Sequence, residues 1–516
     1  MKRFIAKHAD KITGVLSGFD RIVCHGTLRP IAYAAGLKQL LWNRQILLKD
    51  FGAYAHQLTQ QLREASLRSA KEAGRPVEYL ASSGTDKEEL ARKIATRDGV
   101  KEGLIAVLTS VEPCRSFDIY RNSNTHRLEL ISRFRKGLAL YHYLIDPIFG
   151  FMSARIQSWL PLSIQICLNG REWLARTMDR AGLTCRRRDN CFVQLSDAAQ
   201  AQTLMDQQVH FPWVRALDKF ARLLNPAHSQ IFKGFPLRYY WSFHQSEWAT
   251  DIMFKDSASL AQIYPALVLH GITAFSSPDV MRFLGRKVHG AYQGEIISDF
   301  KNRPEGIRIK HRVGSNSVKL YDKQGNNLRV ETTINDPSAF KVFRSLEGDP
   351  SGPKAWRPMR RGLADLSRRA KVAQASNNRY LDALASVDTS IPLADMLKNI
   401  CQPASWNDKR VRALRPWDSQ DFQLLQAVNH GEFAVNGFRN RDLQKILWNS
   451  PADSILEKRR RSARVSRMLR MLRAHGLIKK VNATHRYTLS TKGSDVISAV
   501  LATQHITLQQ LHRAAA

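Results

Sequence analysis

Three runs of alternating residues between positions 306 and 334 leave this stretch of chain little choice of fold. Residues 306–313, 317–323 and 328–334 alternate β-branched or apolar side chains with polar ones, as in Ile307, Ile309 and Val313, Val318 and Leu320, and Leu328, Val330, Thr332 and Ile334, and Gly314-Ser315-Asn316 and Gln324-Gly325-Asn326-Asn327 separate the runs. Glycine and asparagine accept the positive φ that tight turns demand, so the pattern predicts three antiparallel strands joined by short turns. On the middle strand Val318 and Leu320 share one face, and Lys319, Tyr321 and Lys323 share the other. Such a sheet buries one side and presents a cationic side carrying an aromatic ring.

The residues before this sheet predict a mixed α/β, multidomain chain. Residues 76–80, 86–97 and 103–109 spell strand, helix and strand, with Ser82-Ser83-Gly84-Thr85 before the helix. That turn lacks the glycines and lysine of a phosphate-binding loop, so it is expected to cap the helix. Between 138 and 168 polar and apolar residues alternate as in half-buried strands, and Asn169-Gly170 then leads into a helix over 171–180 and a strand over 191–195. Residues 237–262 suit an aromatic core strand followed by a helix, and a further helix is expected over 277–288. Composition places boundaries to give an N-terminal α/β domain (1–135), a central antiparallel-sheet region that can hold two subdomains (136–345), a linker with a basic helical connector (346–410), and a C-terminal domain (411–516).

The C-terminal domain supplies the sharpest motif. A helix is expected over 421–428, a second over 441–447 capped by Asn440, and a third through Ser462 to His475, closed by Gly476. A strand over 477–481 and a return strand over 486–489 follow, with Lys492-Gly493 at the start of another helix. In the third helix Val465, Met468, Leu469 and Leu472 fall at i, i+3, i+4 and i+7, which makes them the buried stripe and turns the arginines outward. From Lys458 to Arg473 the run holds eight basic residues and no acid.

This stretch resembles the winged helix-turn-helix of bacterial DNA-binding regulators of the MarR type. The likeness rests on the Ser/Arg-rich third helix, His475-Gly476-Leu477-Ile478 and Tyr487-Thr488-Leu489-Ser490-Thr491-Lys492-Gly493, and it covers about the last hundred residues. It implies that the third helix enters the major groove with Ser462, Arg464, Ser466 and Arg467 towards DNA and Arg486 near the wing. Arg460 and Arg470 extend the same basic face, and Lys319 adds a nucleic-acid contact on the sheet. Helices after Thr491 would serve a homodimer, as in regulators of this type. A solvated basic face, or docking of RNA or protein, is the alternative use of the same elements.

The overall charge agrees with a polyanionic partner. The chain has 516 residues, with 79 Lys plus Arg against 45 Asp plus Glu, a formal net charge of +34. Such a balance favours nucleic acid. There is no uncharged apolar run of about 18 residues and no signal-peptide core after Met1, so the expected location is cytoplasmic, including association with the nucleoid. The six cysteines, at 24, 114, 167, 185, 191 and 401, are scattered, and Cys185 and Cys191 lack the second ligand pair that a zinc knuckle needs.

A chemical reading centres on the 317–331 strand pair. Val318-Lys319-Leu320-Tyr321-Asp322-Lys323 followed by Arg329-Val330-Glu331 resembles the corresponding strands of rolling-circle replication initiators of plasmids and phages, which join a nicking domain to a winged helix. The resemblance implies a mobile-element nickase or transposase in which Tyr321 attacks a phosphodiester, Lys323 steadies the developing charge, and Asp322, Glu331 and His311 hold Mg or Mn. No His-hydrophobic-His pair of the related relaxases occurs in the chain. Two readings stand beside it: Tyr321 stacks a base on a passive basic platform, or it packs as a structural residue. A noncatalytic RNA-binding ribonucleoprotein component is a further alternative, suggested by interleaved aromatic and basic residues over 238–248 and 307–329. Ser-His-Asp, Walker and dinucleotide signatures are missing from the sequence.

Overall fold

The computed structural model describes residues 1–275, 277–286, 295–303, 306–346, 348–385, 393–429, 433, 437–448, 450–481 and 484–503. Its contacts divide the chain into two compact units, each discontinuous in sequence. Unit one comprises Met1–Val15, Thr250–Thr332 and Ala373–Ala516, and unit two comprises Leu16–Ala249 and Thr333–Val372. The expected boundary at 135/136 falls inside the strand Leu128–Asp146.

Unit two is a mixed sheet with helices. Its strands run in the order Tyr240–Phe254 (as far as Ala249), Ile12–Thr27 (from Leu16), Ile164–Asn169, Gly150–Gln157, Leu128–Asp146, Gly103–Arg121 and Val77–Leu80. Val77–Leu80 and Gly103–Arg121 are parallel and are joined by the helix Lys87–Arg97, the strand-helix-strand unit expected from the sequence. Asp86, rather than the Ser-Ser-Gly-Thr turn itself, caps that helix by accepting from the backbone N–H groups of Glu88 and Glu89. The strand expected over 103–109 continues to Arg121, because it pairs along its length with Leu128–Asp146 in a long hairpin.

Alternation gives this sheet two unlike faces. Ile164, Ile166 and Leu168 are buried on one face, whereas Gln165 and Cys167 between them stay partly exposed on the other. Register sets a cross-strand row on the polar face: His25 opposes Gln165, Gln165 opposes Arg155, and Arg155 opposes Tyr141. The Asn169 side chain caps the helix Gly170–Arg180 by accepting from Arg171 and Glu172 N–H. A Cβ at Gly170 would lie 2.0 Å from the Phe19 carbonyl oxygen, so only glycine fits where that helix starts.

The expected linker over 346–360 holds structure. Ala355–Pro358 pairs antiparallel with Lys341–Arg344 in a small hairpin, with the Phe343 and Trp356 rings 5.8 Å apart and tilted. Proline and glycine mark its loop rather than an open tether.

Unit one contains the three predicted strands, as Gly306–Val313, Asn316–Lys323 and Asn327–Ile334 (to Thr332), with Ile296–Arg303 added at the edge. Val313 opposes Asn316, so Gly314 and Ser315 alone make the first turn, and Gly314 takes φ +59°. The helix expected over 277–288 spans Ser277–Phe283, and its last two expected positions lie outside the described residues. A separate apolar core in this unit joins Leu424, Leu443, Val465, Leu469, Leu472, Leu477 and Ile497 from the C-terminal helices.

Candidate nucleic-acid interface

The C-terminal site is organised by the helix Ile455–Ala474. It begins upstream of Ser462, because Ser454 caps it by accepting the Glu457 N–H at 3.1 Å. Ser462 therefore sits inside the helix rather than near its start. Val465, Leu469 and Leu472 are buried as the i, i+4, i+7 stripe, while Met471 joins them and Met468 is half-buried. Gly476 at φ +72° ends the helix; its N–H donates to Arg473 O (3.0 Å) and Leu477 N–H donates to Leu472 O (2.9 Å). The chain then forms Ile478–Lys480, antiparallel to Tyr487–Leu489, and Phe438 bridges to Tyr487.

The basic run on this helix divides by contact. Arg459, Arg460, Arg464, Arg467 and Arg470 are exposed. Arg461 instead bonds Glu457 at 2.9 Å and lies over the Trp448 ring, and Arg473 lies over Trp406. The two predicted serines also have structural duties: the Asn440 amide donates to Ser462 O and to Ser466 Oγ, both at 2.9 Å, which fastens this helix to Asn440–Leu447. Asn440 is the first residue of that helix rather than its cap; Asp442 accepts the Arg439 N–H at 2.9 Å there. Arg486 stands half-buried in the 478–489 hairpin, its guanidinium 3.4 Å from Gly437 O.

A second cationic surface lies on the 306–334 sheet. Lys310 opposes Lys319, so Arg308, Lys310, Arg312, Lys319 and Tyr321 share a face. Burial and then the charges of Lys319, Arg308 and Arg312 hold the Lys310 ammonium below its ordinary range, with Asp299 opposing. Lys319 bonds one oxygen of the buried Glu331 carboxylate at 2.6 Å, and the Tyr321 hydroxyl donates to the other at 2.8 Å. Burial pushes the Glu331 carboxyl up, but the Lys319 ammonium, Arg329 and the Tyr321 hydroxyl outweigh it and keep the group ionised below its usual range.

The remaining candidate ligands point elsewhere. Asp322, next to Tyr321, faces the opposite side of the strand and accepts the Gly325 N–H at 3.0 Å in the turn. His311 opposes Val318, on the apolar face; it is fully buried between Ser298 Oγ (2.8 Å) and Tyr380 OH (3.0 Å), and burial lowers its pKa to about 4. Asp322, Glu331 and His311 are thus not brought together as three ligands of one ion. Lys323 shares the Tyr321 face, further along the strand.

Sequence reading missed the polar face of unit two. Glu112 gathers Tyr141 OH at 2.6 Å, Ser110 Oγ at 2.7 Å, Lys87 Nζ at 3.1 Å and Arg155 Nε at 3.2 Å. Burial raises the Glu112 carboxyl, yet these hydrogen bonds and the Arg155 charge bring it down to about 2. The signal was present as polar residues at alternate positions in 153–157 and 163–167, but only strand order shows that they adjoin. Comparisons with protein-family models, curated proteins and solved structures find no match for this chain.

Proposed function

We propose that this protein binds DNA through a C-terminal winged helix-turn-helix of the MarR-like kind, with Ile455–Ala474 as the groove helix and the 478–489 hairpin as the wing. The observation that carries this reading is the division of the helix: its apolar stripe enters the core, and Arg459, Arg460, Arg464, Arg467 and Arg470 remain exposed with no acid among them. Guanidinium groups in such an array suit phosphate contacts and bidentate guanine recognition. The Ser462 and Ser466 contacts to Asn440 assign these serines to holding the helix at its angle, so the arginines do the reading. The cationic 306–334 face supplies a second, sequence-tolerant surface for nucleic acid in a mobile-element or plasmid protein.

Selection of bound sequences from random duplexes, followed by titration at several salt concentrations, tests the proposal. A sequence preference abolished in an Arg464→Ala/Arg467→Ala variant supports it, and unchanged binding sinks it. The nickase reading is favoured by one contact, the Tyr321 hydroxyl on the Glu331 carboxylate, which could accept the phenolic proton. Supercoiled-plasmid nicking with Mg or Mn that persists in a Tyr321→Phe variant would remove it.

A further inference from the structure

The polar face of unit two leads into a cavity of about 370 Å³. His25, Gln165 and Arg155 of the cross-strand row line it, with His244 beside His25 at a ring separation of 5.9 Å, and with Arg115 and Phe134 from the long hairpin. Arg115 opposes Phe134 across the long hairpin, so the two side chains share one face, and Phe134 is 77 % exposed, a large apolar ring at the cavity.

The lining chemistry selects the ligand. It contains two guanidinium groups and no aspartate or glutamate, although Glu112 contacts Arg155 from the side. Burial above all, and then the charges of His244, Arg155 and Arg361, depress the His25 imidazole to about 4. The Arg115 and Arg155 guanidinium groups suit an anionic ligand. Gln165 adds an amide that can both donate and accept, and the bare Phe134 ring offers a stacking surface. The volume lies within the range of small-molecule sites, roughly 300–1,000 Å³.

We propose that this cavity binds one nucleotide, its phosphate held by Arg115 and Arg155 and its base stacked on Phe134 with its edge towards Gln165. The nucleotide comes either free or as one unit of a single strand. The site shares no residue with the C-terminal helix, so it can fail while duplex binding there survives.

Calorimetric titration of the full chain with the four nucleoside monophosphates, inorganic phosphate and short single-stranded oligonucleotides tests this. Saturable binding of a monophosphate, weakened about ten-fold or more in Phe134→Ala and in Arg115→Ala, is expected for a free-nucleotide site. Binding of oligonucleotides alone, with the same sensitivity, assigns the single-strand source. Both side chains are exposed, so neither variant should disturb folding, and circular dichroism checks this. No saturable binding, binding indifferent to both substitutions, or inorganic phosphate binding as tightly as every nucleotide would overturn the proposal.

Discussion

The Tyr321 hydroxyl and the Glu331 carboxylate meet at 2.8 Å across neighbouring strands, and Lys319 closes on the same carboxylate at 2.6 Å. Removing the charge of Glu331 leaves a buried ammonium with less compensation. Glu331→Gln is expected to destabilise unit one by about 3 kcal/mol, and Tyr321→Phe by about 1 kcal/mol, both measured by urea denaturation. The folded carboxyl titrates below its unfolded value, so its contribution is present above about pH 4.3 and lost as pH falls through the folded pKa. Glu331→Gln should therefore cost least in strong acid; an equal cost at every pH would contradict the ion pair.

Arg464→Ala and Arg467→Ala should each weaken specific duplex binding by about 1–3 kcal/mol if they read bases. An arginine that meets only phosphate should instead lower the slope of log K against log salt by about one. Fluorescence anisotropy across a salt series separates these roles.

Gly493 has no room for a side chain. A Cβ there would stand 1.9 Å from the Leu477 carbonyl oxygen, and Ser490 Oγ already donates to Gly476 O and accepts the Gly493 N–H. Gly493→Ala is expected to cost about 1–3 kcal/mol and to loosen the 478–489 hairpin. Hydrogen exchange at Leu477 N–H, which reports the helix ending, should speed up.

His142 is 2 % exposed, and neither ring nitrogen has a hydrogen-bond partner among the described residues. Burial lowers its pKa to about 4. Below about pH 6.5 the unfolded chain takes up a proton that the folded one refuses, so stability falls from there down to the folded value. His142→Leu should remove up to about 3 kcal/mol of that acid-side loss, seen as a flatter dependence of the denaturation midpoint on pH between 6.5 and 4. A variant with an unaltered slope would place the acid sensitivity on other groups.

The hairpins of 306–334 and the C-terminal helices were legible because their signals are local. Glycine and asparagine punctuated the strands, and Val465, Leu469 and Leu472 repeated at helical spacing. The start of the arginine-rich helix is poorly marked in the sequence, since the basic run looks equally helical on either side of Ser462 and only the Ser454 cap sets its beginning. The candidate ligands Asp322 and His311 were near Tyr321 in sequence and register, but strand parity sends them to the other face. The polar row His25, Gln165, Arg155 and Tyr141 draws on strands far apart in the chain, and nothing in their local text states that they are neighbours.

The interleaving of the two units also sets a timetable for the growing chain. Met1–Val15 belong with Thr250–Thr332 and Ala373–Ala516. At roughly 5–20 residues per second of synthesis, the opening segment waits on the order of ten seconds or more before its first partners emerge. Unit two in turn cannot be finished until Thr333–Val372 has been made. Residues 1–15 thus wait for partners that begin at Thr250, and a nascent chain stalled before residue 250 would hold neither unit whole.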